Sequence, residues 1–598
     1  MKRRFLYGLL GLVMVTALVL WGCVSSMAVA PAKVLAPSED PAPSASKPFG
    51  KDKVSYEKPR PPHVNEVIFV SGTNYEMGYH YGYQVAEQIR VCMDESWMKA
   101  IQKAGSYDEA ILRLQAFQYY IKEYTPELID EMIGIAHGAT VAGFETCYAD
   151  ILVINCEPNF GNVTGETPRP SPLDELPPKE YQKKYKTKGW EGRTRKYTSL
   201  SVPDYSNAVL SVGYELNDEA CSNWAVWGDA TTDGKLLCGD SVDGGVFRQF
   251  TYIGFPEEGY AFIAHVDRYG EICLVPMMNN KGLWSSAAYL GTPRDIDTGY
   301  GIPVNMAARH LVQFHDNAED AKDELLNWDI PGGRGGNRIL ADTDGNAYIF
   351  ELTAVLRTYR EAGDFGETDW VAGANTFVIP ENCELYDPPI KPFVDDWRIR
   401  QLWGFFGQYV GDVDLEFLKM MYRYQNPDGR ITIGRRVNEV VILARPHDGD
   451  RGKWYEWNGT VGPNVKYGRG IECMDAPNGY FTLELRSSPA EVTNRAQRSA
   501  RTALGKVDLA LRELSLPEHA ADYLLLRELL SEANNEWYVG YHNEVDAFHA
   551  SGDEAIYLYS KALTAYAKCE AMCNGMYEVL VPQPTTPEDL GLDPLEPY

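Results

Sequence analysis

Cys221 heads a stretch with the pattern strand, turn, strand: "CSNWAVWG" leads to the turn at Asp233-Gly234, and "KLLCGDSVD" returns to Asp243. Two chemistries are open to such a cysteine. At the start of a strand it can be a small buried hydrophobe. If the Ala220-Cys221 peptide bond is cut, the same residue carries a thiol and a free α-amino group, whose pKa of about 7.7–8.0 suits a general base near neutral pH. One residue then supplies nucleophile and base, and no separate histidine is required.

Competing motifs are weaker. No His-Glu-x-x-His occurs and the 10 histidines are scattered, which removes a zinc-protease reading. "GDSVDGG", Gly239 to Gly245, approaches the Gly-x-Ser-x-Gly elbow around Ser241, but Asp243 stands where the second glycine is needed and no helical pattern follows. "PGGRGGNRIL" fits neither the Walker nor the dinucleotide pattern, and reads as a loop before a strand. The 11 cysteines match no disulfide framework or zinc site, and Cys569 and Cys573, four apart on a helical pattern, read as packing residues. No metal or cofactor is expected.

The elements that must position Cys221 follow from the rest of the chain. Its 598 residues, 44% hydrophobic and 23% charged, can bury more than one core. A net charge of -28 repels phosphate backbones, and the one dense basic stretch, Lys179 to Lys196, reads as a solvated loop, so no nucleic-acid partner is expected. "MKRRFLYGLLGLVMVTALVLWGC" has the basic start and apolar run of an export signal; cleavage before Cys23, a cut after Ala30 and an uncleaved anchor all send the protein out of the cytoplasm. Residues 24–62, rich in Pro, Ser, Ala and Lys, form a tether. A strand, a Gly turn and helices follow to about Asn155, then a polar connection to about Asn207. After Cys221 the pattern switches to short apolar strands, with hairpin signals at Asp233-Gly234 and Asp342 to Glu351. A helical pattern returns in "NMAARHLVQFHDNAEDAKDELLNW", Asn305 to Trp328, and again from about Glu491 to Tyr577, the latter expected as a packing appendage. The expected organisation is a signal over 1–23, a tether over 24–62, a core over 63–490 divided at 220/221, and a helical region over 491–598.

Six stretches in order carry a resemblance. "ACSNWAVWGDATTDGKLLCGDSVD" resembles the nucleophile hairpin of the N-terminal-nucleophile hydrolases, in the branch of isopenicillin N acyltransferase and its acyltransferase-like relatives, with choloylglycine hydrolases more distant. "VSGTNYEMGYHYGYQVAEQI" is similar to the opening motif of that family, and "ELIDEMIGIAHGATVAGF" to its helical segment. "PMMNNKGLWSS", "GGNRILADTDGNAYIFEL" and "AGANTF" resemble its later strand, hairpin and asparagine elements, and together the matches run over roughly residues 65–405. "MKRRFLYGLLGLVMVTALVLWGC" is in turn similar to the bacterial lipoprotein signal, which implies acylation of Cys23 and a membrane anchor.

The resemblance implies an α+β fold, a four-layer αββα sandwich with an added C-terminal helical region. It implies self-cleavage between Ala220 and Cys221, then acyl transfer or hydrolysis of a small linear, non-peptide amide through a thioester on Cys221. Asp243 would hold the new ammonium group, Asn375 would donate to an oxyanion, and Arg398 would steady Cys221 or a substrate carboxylate. Asn279 would serve a structural or substrate-side role. Asp240 stands where relatives often carry Arg or Gln, Gly244 where they carry Trp, and Thr376 where His is common; the Asp240 carboxylate is expected to raise the thiol pKa unless Arg398 or another cation offsets it. Two rival readings are a phospholipase-B-like lipid deacylase and a non-catalytic surface lipoprotein that keeps the fold.

Overall fold

Strand β1 (Glu66–Gly72) runs into Thr73, whose hydroxyl caps helix α1 (Asn74–Gln84) in a reciprocal box with Glu76. The computed structural model describes residues 64–160, 173, 221–243, 249–272, 276–292, 297–332, 335–424, 433–434, 438–447, 449, 451–459, 461, 479–513, 520–581 and 583–596. Helices α2 (Ala86–Ala104), α3 (Tyr107–Tyr124), α4 (Glu127–Val141) and α5 (Tyr148–Cys156) complete the first half. Helices α1 and α4 cross with their backbones in contact, because each carries two glycines four residues apart on one face. A Cβ on Gly78 would lie 2.0 Å from the Glu131 carbonyl oxygen, and one on Gly134 would lie 2.1 Å from that of Tyr75. The Gly-x-x-x-Gly spacing legible in both helical segments is therefore a contact face.

Strands follow from Cys221 onward: β2 (Ser222–Gly228), β3 (Gly234–Asp243), β4 (Phe250–Pro256), β5 (Phe262–Val266), β6 (Met277–Asn279) and β7 (Trp284–Leu290). The helical pattern after them is two helices, α6 (Val304–Phe314) and α7 (Ala318–Leu326), with Asn317 capping the second by accepting from the Asp320 amide at 2.8 Å. Next come β8 (Gly335–Ala341), β9 (Ala347–Leu352), β10 (Arg357–Glu361) and β11 (Trp370–Ala374), then α8 (Trp397–Gln408) and α9 (Leu415–Arg423). The chain ends with β12 (Asn438–Arg445), β13 (Lys453–Trp457), β14 (Phe481–Glu484) and three long helices, α10 (Pro489–Glu513), α11 (Ala520–His549) and α12 (Asp553–Leu580).

Two sheets form, of order β1-β4-β5-β6-β7-β8-β9-β10 and β11-β2-β3-β12-β13-β14. Ile253, Ile263, Met278 and Ile349 of the first sheet and Ala225, Cys238, Val440 and Ile442 of the second fill one core between them. The opposite face of the first sheet packs on α1 to α7, and the opposite face of the second on α8 and α9. This is the α+β, four-layer αββα arrangement expected from the sequence, with a C-terminal helical region.

That region does more than extend the chain. Residues of α10, α11 and α12 enter the inter-sheet core. Among the described residues, strand β1 pairs on one side only, with β4, in parallel. On its other side the Thr564 hydroxyl of α12 accepts from the Val67 amide and donates to the Val67 carbonyl, both at 3.0 Å, and Ser560 accepts from the Phe69 amide at 2.9 Å. Two hydroxyls on one helix face thus stand in for a neighbouring strand and close a sheet edge.

Candidate active site

Cys221 sits immediately before β2, and the β2–β3 hairpin pairs Ser222 with Ser241, Asn223 with Asp240 and Trp224 with Gly239. Only glycine fits at 239, since a Cβ there would lie 2.1 Å from the Trp224 ring. Cys221, Ala225, Cys238 and Val242 all belong to the inter-sheet core, so strand alternation places Asn223 and Asp240 on that same inner face. Burial pushes the Cys221 thiol well above its ordinary pKa, the Asp243, Asp240 and Asp267 carboxylates push in the same direction, and the Asp243 backbone amide opposes them. The Arg398 guanidinium faces the Cys221 carbonyl and is paired with the Asp396 carboxylate.

Arg398 lies in the first turn of α8, where Asp396 caps the helix by accepting from the Arg398 amide at 2.9 Å. The same carboxylate takes Arg398 Nε at 3.1 Å and Nη2 at 2.6 Å. The remaining nitrogen, Nη1, donates to the Cys221 carbonyl and to Asn375 Oδ1, each at 2.7 Å. Of the two roles open to Arg398, the geometry fits steadying Cys221. Asn375 in turn donates to the Tyr289 carbonyl of β7. Cys221, Asn375 and Arg398 therefore form one hydrogen-bonded unit, tied to the other sheet through the Tyr289 carbonyl. Asp243 flanks it at the end of β3, where its carboxylate accepts from Asn438 of β12.

Asn279 belongs to a different structure. Its amide nitrogen donates to the Val312 carbonyl at 2.8 Å and that of His315 at 2.7 Å, and its oxygen accepts from the Lys281 and Leu283 amides at 3.0 Å. It ties the β6–β7 turn to α6, which is the structural alternative. Ser241 lies inside β3, not at a strand-to-helix turn, so the elbow motif has no elbow. Ala220 and Cys23, and with them the cleavage and lipid-attachment predictions, fall outside the described residues.

Several residues that hold the site in place were assigned no role from the sequence. Asn337 on β8 donates to the Ala374 carbonyl and, at 2.7 Å, to that of Thr376, gripping the chain on both sides of Asn375. Glu351 accepts from the Val378 and Ile379 amides at 2.7 and 3.0 Å. Burial raises its carboxyl to about 7 against the opposing charge of Arg360. Arg360 also donates to Glu367 and, at 2.6 Å, to the Ala372 carbonyl, while Glu367 accepts from the Ala372 amide at 3.1 Å. This buried pair satisfies the outer edge of β11, the strand that pairs with β2. Asp396, two residues before Arg398 at a helix start, carried a sequence signal; Glu351 and Glu367 looked like ordinary strand and loop acids. Among the described residues, no group of three or more His, Cys, Asp or Glu is placed to hold a metal ion.

No family model matches the chain. An uncharacterized protein of Archaeoglobus fulgidus is 22% identical over 408 residues, which is 63% of this chain; the match spans 61% of that relative's length. Among solved structures, penicillin V acylase from Agrobacterium tumefaciens aligns at 12% identity and a TM-score of 0.29, covering 44% of this chain and 86% of that one. The Caenorhabditis elegans N-acylethanolamine-hydrolyzing acid amidase ortholog aligns at 9% identity and a TM-score of 0.28, covering 38% and 93%. A conjugated bile acid hydrolase variant from Clostridium perfringens aligns at 13% identity and a TM-score of 0.27, covering 45% and 98%.

Proposed function

We propose that the chain is an amide hydrolase or acyltransferase whose nucleophile is the Cys221 thiol, exposed together with its α-amine by scission of the Ala220-Cys221 bond. The observation that carries this reading is the Arg398 clamp: one guanidinium nitrogen bonds both the Cys221 carbonyl and the Asn375 side chain. A cysteine that served only to fill the core would not need its backbone fixed by a buried ion pair. In the cut chain the α-amine takes the thiol proton as sulfur attacks the amide carbon. Asn375 has a second amide hydrogen for the resulting oxyanion. Collapse returns the proton to the departing amine and leaves a thioester, which water or another acceptor resolves. Asp243 is the carboxylate we assign to the α-ammonium form.

Export and anchoring through an acylated Cys23 belong to the same proposal; among the described residues no helix is long and apolar enough to cross a membrane. A second reading, a binding protein that retains the fold without turnover, is favoured by one observation: burial and three carboxylates raise the thiol.

A denaturing gel with N-terminal sequencing separates the readings. The enzyme reading expects two fragments, one beginning Cys-Ser-Asn-Trp, and a Cys221→Ala chain that stays whole and hydrolyses no amide. An intact wild-type chain with no thioester formation would leave the binding-protein reading.

A further inference from the structure

Beneath Cys221, between the two sheets, buried polar side chains stand without hydrogen-bond partners. Asp240 and Asn223, paired across β2 and β3, are both fully buried. Neither oxygen of Asp240, and neither the oxygen nor the nitrogen of the Asn223 amide, makes a hydrogen bond of good geometry. From the facing sheet come Ser286 of β7 and Asn337 of β8, with the Ser286 hydroxyl and Asn337 Oδ1 in the same condition. They are the inner-face neighbours of Trp284, Ala288 and Ile339. Asn223 and Asn337 meet over Gly373, where a Cβ would lie 2.4 Å from Asn223 Oδ1 and 3.5 Å from Asn337 Cβ.

Native interiors pair nearly all such groups, so several orphans on two facing sheets mark a place built to meet something else. The set is rich in acceptors. Burial raises the Asp240 carboxyl well above its ordinary pKa, the Asp267 and Asp243 carboxylates push the same way, and the Ala287 backbone amide and the Arg338 guanidinium oppose them, so an arriving cation is what would hold Asp240 ionised. That composition rejects anions and suits a group with several N–H donors and a positive charge.

We propose that Asp240, with the side-chain oxygens of Asn223 and Asn337, forms a subsite for a primary ammonium group held beside the Cys221 thiol. It deepens the reading of Cys221 as nucleophile by naming the charge of the ligand it serves. The ammonium can come from an amine-bearing ligand or, should Asp243 not hold it, from the α-amino group of Cys221 after scission.

The test labels the thiol and needs no turnover. The purified full-length chain is treated with three methanethiosulfonates, 2-aminoethyl (cationic), 2-sulfonatoethyl (anionic) and methyl (neutral). In each reaction the thiolate sulfur forms a mixed disulfide and methanesulfinate leaves. Modification is followed on the peptide that contains Cys221 by mass spectrometry. Expected is a cationic reagent at least about tenfold faster than the anionic one, each scaled to its rate with a free thiol, as one unscreened charge nearby dictates. Asp240→Asn should bring the ratio close to one. In wild type, millimolar n-propylamine should slow the neutral reagent and propionate should not, which reads the subsite even if the variant fails to fold. The two sources separate by comparing chains with the 220/221 bond intact and cut: a preference kept after scission belongs to an external amine, and one lost after scission belongs to the α-ammonium. Equal rates for both charges in every form, a ratio indifferent to Asp240→Asn, or no labelling of Cys221 by any reagent would overturn the proposal. A labelled Cys221 with cation preference but no amide hydrolysis would keep the subsite and sink the enzyme.

Discussion

Replacing Arg398 by methionine removes the clamp and leaves its counter-ion behind. Arg398 and Asp396 are both buried and joined at two points, 3.1 and 2.6 Å. Removing one partner of a buried pair strands the other charge, at a cost of about 3–5 kcal/mol. The Cys221 carbonyl and Asn375 Oδ1 also lose their 2.7 Å donor, but part of that loss is shared with the same event, so the total is not the sum. We expect Arg398→Met to destabilise by about 3 kcal/mol or more. Adding Asp396→Asn should recover roughly half, because the stranded charge is gone while the cap to the Arg398 amide can persist. Urea unfolding of wild type, both single variants and the double variant gives the coupling directly. A loss below about 1 kcal/mol for Arg398→Met, or full additivity in the cycle, would refute the claim that this ion pair is what holds Cys221 and Asn375 together.

Three further outcomes test the frame around the site. Gly78→Ala should destabilise by at least about 2 kcal/mol, since its Cβ would sit 2.0 Å from the Glu131 carbonyl oxygen and neither helix backbone can yield locally; urea midpoints measure it. Thr564→Val leaves the Val67 amide and carbonyl without their 3.0 Å partner and should cost about 1–3 kcal/mol, with faster amide exchange in β1 as the local signature. His310 lies 2.7 Å from Glu127 and 3.5 Å from Glu324; burial disfavours its charged ring, but the two carboxylates prevail and raise it to about 9. A histidine raised above its unfolded value of about 6.5 contributes stability that is complete below that pH and fades as pH climbs through the folded value. Unfolding midpoints should therefore fall between about pH 6.5 and the folded pKa, and His310→Gln should flatten that slope.

Local pattern was enough to read much of this molecule. The β2–β3 hairpin was legible because apolar residues flank an Asp-Gly turn, and Gly234 indeed takes the left-handed conformation at φ 71°. The Gly spacing in α1 and α4 and the Thr73 cap lie in short windows too, whereas the grouping of Cys221, Asn375 and Arg398 rested on the resemblance of their motifs to a known family. The break between α6 and α7 was less so, since apolar periodicity runs through His315 and only the capping geometry of Asn317 stops it.

What sequence determined here is what neighbours in the chain decide: strand or helix, turn or cap, and which residue types are present to do chemistry. Tertiary structure alone decided which of them meet. The Arg398 guanidinium reaches a carbonyl 177 residues away, and Thr564 serves a strand 497 residues before it. Burial, too, is a property of the assembled layers. It turns Asp240 from an unremarkable strand acid into a carboxyl held well above its ordinary pKa near a thiol, because removal from water, not residue identity, sets what that charge costs.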